Sequence, residues 1–309
     1  MFISWVDHHG RSEALARKLG METFFLSPDH KDRVLPIRYW QAMKETRAAI
    51  LSNQPNVIIL MLPPAPALLT VLMSMGRGTR LIADLHTGFF SDRKWRWFTR
   101  LGLWMLRGST VLVTNEALRE RCAAAGVDAL IMHDLLEATS SSDGDVVRDG
   151  PVLCPLSYAN DEPVSSILQA AAECPELTFI LTGKASERIK MSAPANVRFS
   201  GYVSAGEYRD LVASSLAVVA MTTRDFTMQR AGYEALMAGK PQVTADFPVL
   251  REFLGEAALY AVPDSAAQIA AAIREIKADP VHYSDSAFKV LEAAIGEQGR
   301  TLSSLQEIV

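Results

Sequence analysis

Cysteine is scarce in this sequence, with three residues among 309. Cys122, Cys154 and Cys174 are odd in number, show no C-x-x-C spacing and fall in apolar or helical contexts. A disulfide framework would need paired cysteines at regular spacings. The three side chains are therefore predicted to be reduced thiols in a cytosolic protein.

An excess of positive charge is also missing. The chain carries 31 Lys and Arg against 35 Asp and Glu, which gives a formal net charge of −4. Sequence-independent binding of nucleic acid needs a basic surface. The composition therefore gives no reason to expect a nucleic-acid partner.

The glycine-rich motifs that bind phosphates are absent as well. No G-x-G-x-x-G follows a predicted strand, which argues against a dinucleotide dehydrogenase. Thr182-Gly183-Lys184 follows a strand, but it lacks the upstream glycine of G-x-x-x-x-G-K-[ST] and is not a P-loop.

No uninterrupted apolar run is long enough to span a bilayer. Residues 1–6 are apolar but short and lack a basic start, so we interpret them as a first strand and not as a signal peptide. Residues 57–75 carry no charge and approach the roughly 20 residues that a span requires. Pro63, Pro64 and Pro66 would break such a helix, so the pattern favours a strand, a turn and a proline-initiated helix.

Short apolar strands alternate with helical patterns along the first half of the chain. The predicted strands cover residues 2–6, 23–26, 57–62, 81–85, 110–114 and 129–132, and the predicted helices cover 12–19, 38–52, 65–75, 94–106 and 116–125. Such alternation is typical of a parallel sheet covered by helices on both faces.

A polar, glycine-containing stretch at residues 140–150 is the predicted linker, and the same plan repeats from Val152 onward. The sequence thus predicts two α/β domains, 1–140 and 151–309, each a Rossmann-like, doubly wound parallel sheet. A length of 309 residues with 49% apolar composition is enough for two such cores.

Polar residues follow several predicted strands of the first half. These groups are Asp7-His8-His9-Gly10-Arg11, Asp84 with His86, Asn115-Glu116 and His133-Asp134. Parallel strands end at one edge of the sheet, so the groups are expected to converge there. The Asp-His-His order is similar to a motif of the DHH phosphoesterases, but the upstream D-x-D segment of those enzymes is missing, and no metal site is predicted.

Residues 222–252 combine helix signals with a turn. A helix is predicted over about 227–238, with Asp225 or Thr227 as the N-cap and Gly239 just past its end. The N-terminus of a helix that follows a parallel strand attracts anions such as pyrophosphate. This segment is therefore a candidate phosphate site.

Glu234 lies two turns into that helix and begins the sequence E-A-L-M-A-G-K-P. Taken alone, it would be an ordinary solvated carboxylate. Together with NVRFSGYVSAGEYRDLVASS at 196–215 and ALYAVPDSAAQIAAAI at 258–273, however, the stretch resembles the group 1 (family 4) glycosyltransferases over most of residues 152–273.

The resemblance implies a GT-B fold, in which two Rossmann-like domains face a cleft. It implies the transfer of a sugar from a nucleoside diphosphate to a carbohydrate or lipid-linked acceptor, with retention at the anomeric carbon. Cytoplasmic polysaccharide biosynthesis is the implied setting. The nucleotide sugar is a substrate, and no cofactor or metal is expected.

The resemblance also implies residue roles. Glu234 matches the glutamate that holds the ribose, whereas the earlier acid of the family's E-x7-E pair falls on Phe226, next to Asp225. His86 follows a strand where the family places an acceptor-side histidine, although a histidine satisfied within its loop is the alternative. The catalytic candidates are His86 and Asp225; the donor-binding candidates are Lys184, Arg230, Glu234, Glu252 and Thr227; the acceptor-side candidates are His8, His9 and Arg11.

Residues 93–107 contain five bases, no acid, three tryptophans and a phenylalanine. As a helix, this mixture suits the headgroup region of an anionic membrane and would make the protein peripheral at the inner face of the membrane. The alternative is a helix of the domain face whose apolar side chains pack inward.

Two other functions remain open. A GT-B nucleotide-sugar epimerase would convert the donor without any acceptor. A non-catalytic sugar-nucleotide-binding subunit of a glycan-assembly complex would explain why Phe226 replaces the first glutamate. A last helix is predicted at about 284–296, and by resemblance it crosses back to the first domain.

Overall fold

The computed structural model describes residues 1–6, 10–26, 34–137 and 146–309. They form two compact units, the first made of Met1–Leu135 and Glu297–Val309 and the second of Leu136–Gly296. The last residues of the chain, Glu297–Val309, therefore belong to the first unit.

The first unit contains six parallel strands and their connecting helices. The strands are β1 (Phe2–Ser4), β2 (Thr23–Phe25), β3 (Val57–Leu62), β4 (Arg80–Leu85), β5 (Thr110–Val113) and β6 (Ala129–Ile131), and the helices are α1 (Gly10–Lys18), α2 (Leu35–Asn53), α3 (Ala65–Ser74), α4 (Thr87–Ser91), α5 (Thr99–Met105) and α6 (Glu116–Ala123). The strand order is β2-β1-β3-β4-β5-β6.

The second unit repeats this architecture. Its strands are β7 (Val152–Cys154), β8 (Phe179–Thr182), β9 (Val197–Gly201), β10 (Ala217–Ala220), β11 (Gln242–Ala245) and β12 (Ala258–Ala261), and its helices are α7 (Val164–Glu173), α8 (Glu187–Ser192), α9 (Ala205–Ser214), α10 (Arg230–Met237), α11 (Pro248–Leu254) and α12 (Ala266–Ala278). Helix α13 (Pro280–Gln306) follows and reaches the residues that belong to the first unit.

Both sheets are doubly wound. In the second sheet the order is β12-β11-β10-β7-β8-β9, so the chain proceeds to one side from β7 and to the other side from β10. Ligands of open α/β sheets bind beyond the carboxyl ends of the strands at such a switch point. A ligand site is therefore expected beside the loops that follow β7 and β10.

The buried strands account for the apolar runs in the sequence. Every residue of β3 is buried, because helices cover both faces of a parallel sheet. The proline-interrupted run 57–75 forms β3 and α3, as predicted. In the described residues, no helix combines the length and the hydropathy of a membrane span.

Three helices differ from the prediction. The predicted helix 94–106 is a turn region followed by the short α5, and α13 is longer than the predicted 284–296. Helix α10 begins at Arg230, three residues after the predicted start, because the residues before it follow a loop path in which Phe226 has a positive φ of 59°.

Gly239 follows α10 as predicted. Its φ is 61°, in the left-handed region that favours glycine. A Cβ at this position would lie 2.1 Å from the ring of Phe288, so the residue is fixed by packing as well as by backbone conformation.

Candidate functional site

A cleft of about 490 Å³ opens at the switch point of the second sheet. Its walls come from the loop after β7, from the end of β8, from α9 and from the start of α10. The lining residues are Pro155, Leu156, Ser157, Ala159, Asp161, Glu162, Thr182, Tyr208, Gln229, Arg230, Ala231 and Glu234.

Arg230 and Glu234 form an ion pair on one side of this cleft. The Nε of Arg230 lies 2.8 Å from Oε1 of Glu234, one turn further along α10. Among the described lining residues, Arg230 is the only base. Gln229 is the N-cap residue of α10, and its side chain makes no hydrogen bond to the helix. The cleft therefore contains a cation beside a helix N-terminus whose first N–H groups are not capped by the Gln229 side chain.

Tyr208 of α9 lies behind Glu234 and was not identified from the sequence. Its hydroxyl is buried near the Glu234 carboxylate, without a well-formed hydrogen bond. Burial first, and then the negative charge of Glu234, raise the pKa of Tyr208 well above its ordinary value. The hydroxyl therefore stays protonated and is available as a hydrogen-bond donor to that carboxylate.

The loop after β7 is held by an acid and contains no base. The carboxylate of Glu162 accepts hydrogen bonds from the backbone N–H of Ser157 at 3.1 Å and of Ala159 at 3.0 Å, and from the Ser157 hydroxyl at 3.0 Å. These bonds use the backbone N–H groups of Ser157 and Ala159 within the loop. The positive charge in the cleft therefore comes from Arg230 and the N-terminus of α10.

Asp161 connects the two loops that form the switch point. Its carboxylate accepts a hydrogen bond from the Thr222 hydroxyl at 3.2 Å, and its carbonyl accepts one from the N–H of Thr223 at 2.8 Å. The loop after β7 is thereby tied to the loop after β10, which fixes the shape of the cleft.

Gly183 explains why the strand end at Thr182 can border the cleft. A Cβ on Gly183 would lie 2.0 Å from the carbonyl oxygen of Leu156, and its φ is 78°. Only glycine permits this close approach of the two backbones. Lys184 follows with an exposed side chain and is not among the lining residues.

A second polar cluster lies at the carboxyl edge of the first sheet. Arg11 of α1 is 2% exposed in its side chain, and its Nη2 lies 2.8 Å from Oδ1 of the fully buried Asp84. The same nitrogen donates to the carbonyl of Met132 at 2.9 Å, and Nε lies 3.9 Å from Asp134. Groups scattered along the sequence thus converge, as the parallel topology predicts.

His86 is held by the same pair of residues. Its Nε2 lies 2.9 Å from Nη1 of Arg11 and 3.1 Å from Oδ2 of Asp84, while its side chain stays 20% exposed. Arg11 can only donate and the carboxylate of Asp84 can only accept, so Nε2 accepts from Arg11 when it carries no proton and donates to Asp84 when it carries one. Both contacts keep the ring in place at the surface of the unit.

The acceptor-side candidates are therefore not equivalent. Arg11 is buried and engaged within the unit, so it positions His86 and does not present its guanidinium to a ligand. His8 and His9, with Asp7, lie outside the described residues.

Asn115 accepts a hydrogen bond from the N–H of Leu118 and caps α6. In the described part of the chain, no three His, Cys, Asp or Glu side chains are arranged to hold a metal ion.

Residues 156–279 match the model of the family described as glycosyl transferases group 1. In sequence, this segment is similar to the group 1 glycosyl transferases. The match takes in every residue that lines the cleft except Pro155. No curated protein matches the chain in sequence.

Solved structures share the fold of this chain over nearly its whole length. HepE of Anabaena, in complex with UDP and glucose, is 15% identical with a TM-score of 0.69 and 98% of each chain covered. Sucrose-phosphate synthase from Thermosynechococcus elongatus is 13% identical with a TM-score of 0.73, covering 100% of this chain and 99% of that one. A putative UDP-N-acetylglucosamine 2-epimerase from Listeria monocytogenes is 12% identical with a TM-score of 0.69, covering 99% and 95%. The GT-B fold predicted from the sequence is confirmed.

The lining of the cleft does not include three of the candidates, Asp225, Thr227 and Glu252. Asp225 is exposed and accepts a hydrogen bond from the N–H of Phe226 at 2.7 Å, and the hydroxyl of Thr227 donates to the Asp225 carbonyl at 3.4 Å. Both residues therefore stabilise their own loop, and the prediction that one of them caps α10 is wrong. Glu252 is exposed on α11 and, like these two, is not a lining residue.

In the first unit, His133 lies near Arg11 and makes the stability of that unit depend on pH. Burial, and then the positive charge of Arg11, lower the pKa of His133 to about 4. In the unfolded chain the pKa is about 6.5, so between these values the unfolded state binds a proton that the folded state does not. Acidification through this window destabilises the fold.

On acidification from about pH 7 to about pH 5, the wild type should lose free energy of unfolding. We expect the His133→Gln variant to lose ~2 kcal/mol less over this range, because it has no histidine at this position that takes up a proton on unfolding. Denaturant titrations at several pH values measure this effect. His282→Gln, at an exposed histidine of the second unit, is the matched control. Parallel pH profiles for the wild type and His133→Gln would contradict the prediction.

Proposed function

We propose that the protein is a glycosyltransferase that moves a sugar from a nucleoside diphosphate to a carbohydrate or lipid-linked acceptor in polysaccharide biosynthesis. The observation that carries the proposal is the Arg230–Glu234 pair at the start of α10, inside a cleft at the switch point of a group 1 glycosyl transferase domain. Of the neighbours, HepE is in complex with UDP and glucose.

Glu234 is the proposed ribose ligand. Its carboxylate lies in the cleft between Arg230 and Tyr208, and charge-assisted hydrogen bonds to hydroxyls are the strong ones. Tyr208 supports this role because its protonated hydroxyl is buried near the carboxylate and can donate a hydrogen bond to it.

Arg230 and the N-terminus of α10 are the proposed ligands of the diphosphate. The helix dipole and the guanidinium both stabilise the negative charge that develops on the leaving diphosphate. Lys184, just after the carboxyl end of β8, is a second cation that a bound donor could contact. A cation and a helix N-terminus together support a metal-independent reaction in which the nucleotide sugar is the donor substrate and no cofactor takes part.

His86 is the proposed acceptor-side group of the first unit, together with His8 and His9. Arg11 and Asp84 hold its ring while part of the side chain remains accessible, which suits an imidazole that binds or deprotonates a sugar hydroxyl. A cytoplasmic setting accords with this chemistry and with the buried reduced thiols.

The proposed mechanism predicts metal-independent transfer with retention. After a panel of nucleotide sugars identifies the donor by the rise in melting temperature, transfer to a carbohydrate acceptor should persist in excess EDTA. The product should keep the anomeric configuration of the donor, as measured by proton NMR. Loss of activity in EDTA with recovery on adding Mg²⁺ or Mn²⁺, or an inverted product, would contradict the mechanism.

A non-catalytic sugar-nucleotide-binding subunit is the second candidate. It is favoured by Phe226 at the position of the first glutamate and by Asp225, whose carboxylate bonds to its own loop. Nucleotide binding without transfer to any acceptor would identify this function. Conversion of the donor sugar in the absence of an acceptor would instead identify an epimerase.

A further inference from the structure

Three tryptophans of the first unit are exposed. The exposed fractions are 60% for Trp40 on α2, 70% for Trp97 in the turn before α5, and 61% for Trp104 on α5. Tryptophan is highly buried on average in folded proteins. Ile37 and Leu101 on the same two elements are also exposed, so the feature is a set of large apolar side chains and not a single one.

The elements that carry these tryptophans are in contact. The Nζ of Lys94 donates to the hydroxyl of Tyr39 on α2 at 2.9 Å. The rings of Tyr39 and Trp95 meet edge to face with centroids 6.0 Å apart. The start of α2 and the turn before α5 therefore form one continuous region, called here the tryptophan surface and comprising residues 34–53 and 92–107.

The interior side of the same segment is packed. Phe98, Leu103 and Leu106 are buried, and a Cβ on Gly102 would lie 2.8 Å from the ring of Phe89. Some apolar residues of 93–107 thus fill the domain core, while Trp97, Leu101 and Trp104 remain outside it. Packing in the domain core therefore explains the buried apolar side chains of this segment but not the exposed ones.

The tryptophan surface is strongly basic although the chain as a whole is acidic. Its two segments contain eight Lys and Arg and two Asp and Glu, against a net charge of −4 for the chain. Lys44 lies over the ring of Trp40 at 4.5 Å, and Lys94 lies over the ring of Trp95 at 4.9 Å. Cationic and aromatic groups are therefore interleaved.

We propose that the tryptophan surface docks the protein on a lipid bilayer that contains anionic lipids. Indole rings favour the boundary between headgroups and acyl chains, and Lys and Arg side chains pair with lipid phosphates. Each base near an anionic surface adds to the attraction, and the effect weakens with salt. The contact involves α2 as much as residues 93–107, and it does not depend on the proposed sugar transfer.

Sedimentation of the full chain with vesicles tests the proposal. The protein should bind vesicles of equal parts phosphatidylglycerol and phosphatidylcholine at low salt, and it should remain in the supernatant with phosphatidylcholine alone. Trp97→Ala/Trp104→Ala and Arg96→Glu/Arg100→Glu should each lower the partition coefficient at least about tenfold. These four side chains are exposed, so the variants should fold, which thermal melting checks.

Matched variants in the second unit are the controls. Tyr202→Ala removes an aromatic side chain that is 81% exposed, and Arg188→Glu/Arg198→Glu reverses two exposed charges. Neither change should alter vesicle binding by more than about twofold. Brominated lipids should also quench the tryptophan fluorescence of the wild-type protein, which requires no variant. Absence of binding to the anionic vesicles, equal effects of the test and control variants, or unquenched fluorescence would overturn the proposal.

Discussion

Arg11→Met is expected to lower the free energy of unfolding by roughly 3–5 kcal/mol, because it leaves the buried carboxylate of Asp84 without its nearest cation. For a unit of this size the loss corresponds to a decrease of about 10 °C in melting temperature. Arg11 also donates to the carbonyl of Met132, and methionine cannot replace this hydrogen bond.

Arg119→Met provides the matched comparison. Arg119 pairs with Glu116 at 2.7 Å, but both side chains are partly exposed, and such surface pairs contribute little to stability. Differential scanning calorimetry of the two variants measures the contrast. If Arg11→Met costs no more stability than Arg119→Met, the Arg11–Asp84 pair does not stabilise the first unit.

Glu234→Gln is expected to weaken the binding of the cognate nucleoside at least about tenfold, because a charge-assisted hydrogen bond to the ribose is worth roughly 1.5–3 kcal/mol. The loss for the nucleoside diphosphate should be smaller. In this variant Arg230 is released from its ion pair and becomes more available to the phosphates.

Calorimetric titration of the full chain with the nucleoside and with its diphosphate measures both effects. Glu187→Gln is the control, since Glu187 pairs with Lys190 at 2.8 Å within the short helix α8 of the same unit and lies outside the cleft. Equal affinities for the nucleoside in a folded Glu234→Gln variant and in the wild type would remove Glu234 from the binding site.

The architecture was predictable because its determinants are local. Strands buried on both faces give short apolar runs such as residues 57–62, and glycine with a positive φ marks the end of α10 at Gly239. The predicted convergence of Arg11, Asp84 and His86 followed from parallel strands alone, because their carboxyl ends share one edge.

Other features depend on contacts that the sequence does not display. Tyr208 reaches Glu234 from a different helix, so no spacing rule connects them, whereas the four-residue spacing of Arg230 and Glu234 is a recognisable helical pair. The start of α10 was misplaced because Asp225 has the chemistry of an N-cap but bonds within its own loop.

The helix predicted at 94–106 failed for a similar reason. Its composition suits a helix, yet Lys94 bonds to Tyr39 and Phe98 packs into the core, so tertiary contacts hold residues 92–98 in turns. Only the structure separates the side chains of this segment that fill the core from those that remain exposed.

The cleft beside α10 is the proposed binding site for the nucleotide of the donor. Titration of the full chain with UDP, GDP, ADP, CDP and dTDP tests it when the wild type is compared with Ala159→Trp. Ala159 lines the cleft with an exposed side chain, so tryptophan should fill the space without disturbing the fold. The wild type should bind one of these nucleotides. Ala159→Trp, folded and with an unchanged melting temperature, should lose at least about 1.4 kcal/mol of binding free energy, a tenfold change. Binding of none of the five by the wild type, or equal binding by the wild type and Ala159→Trp, would contradict it.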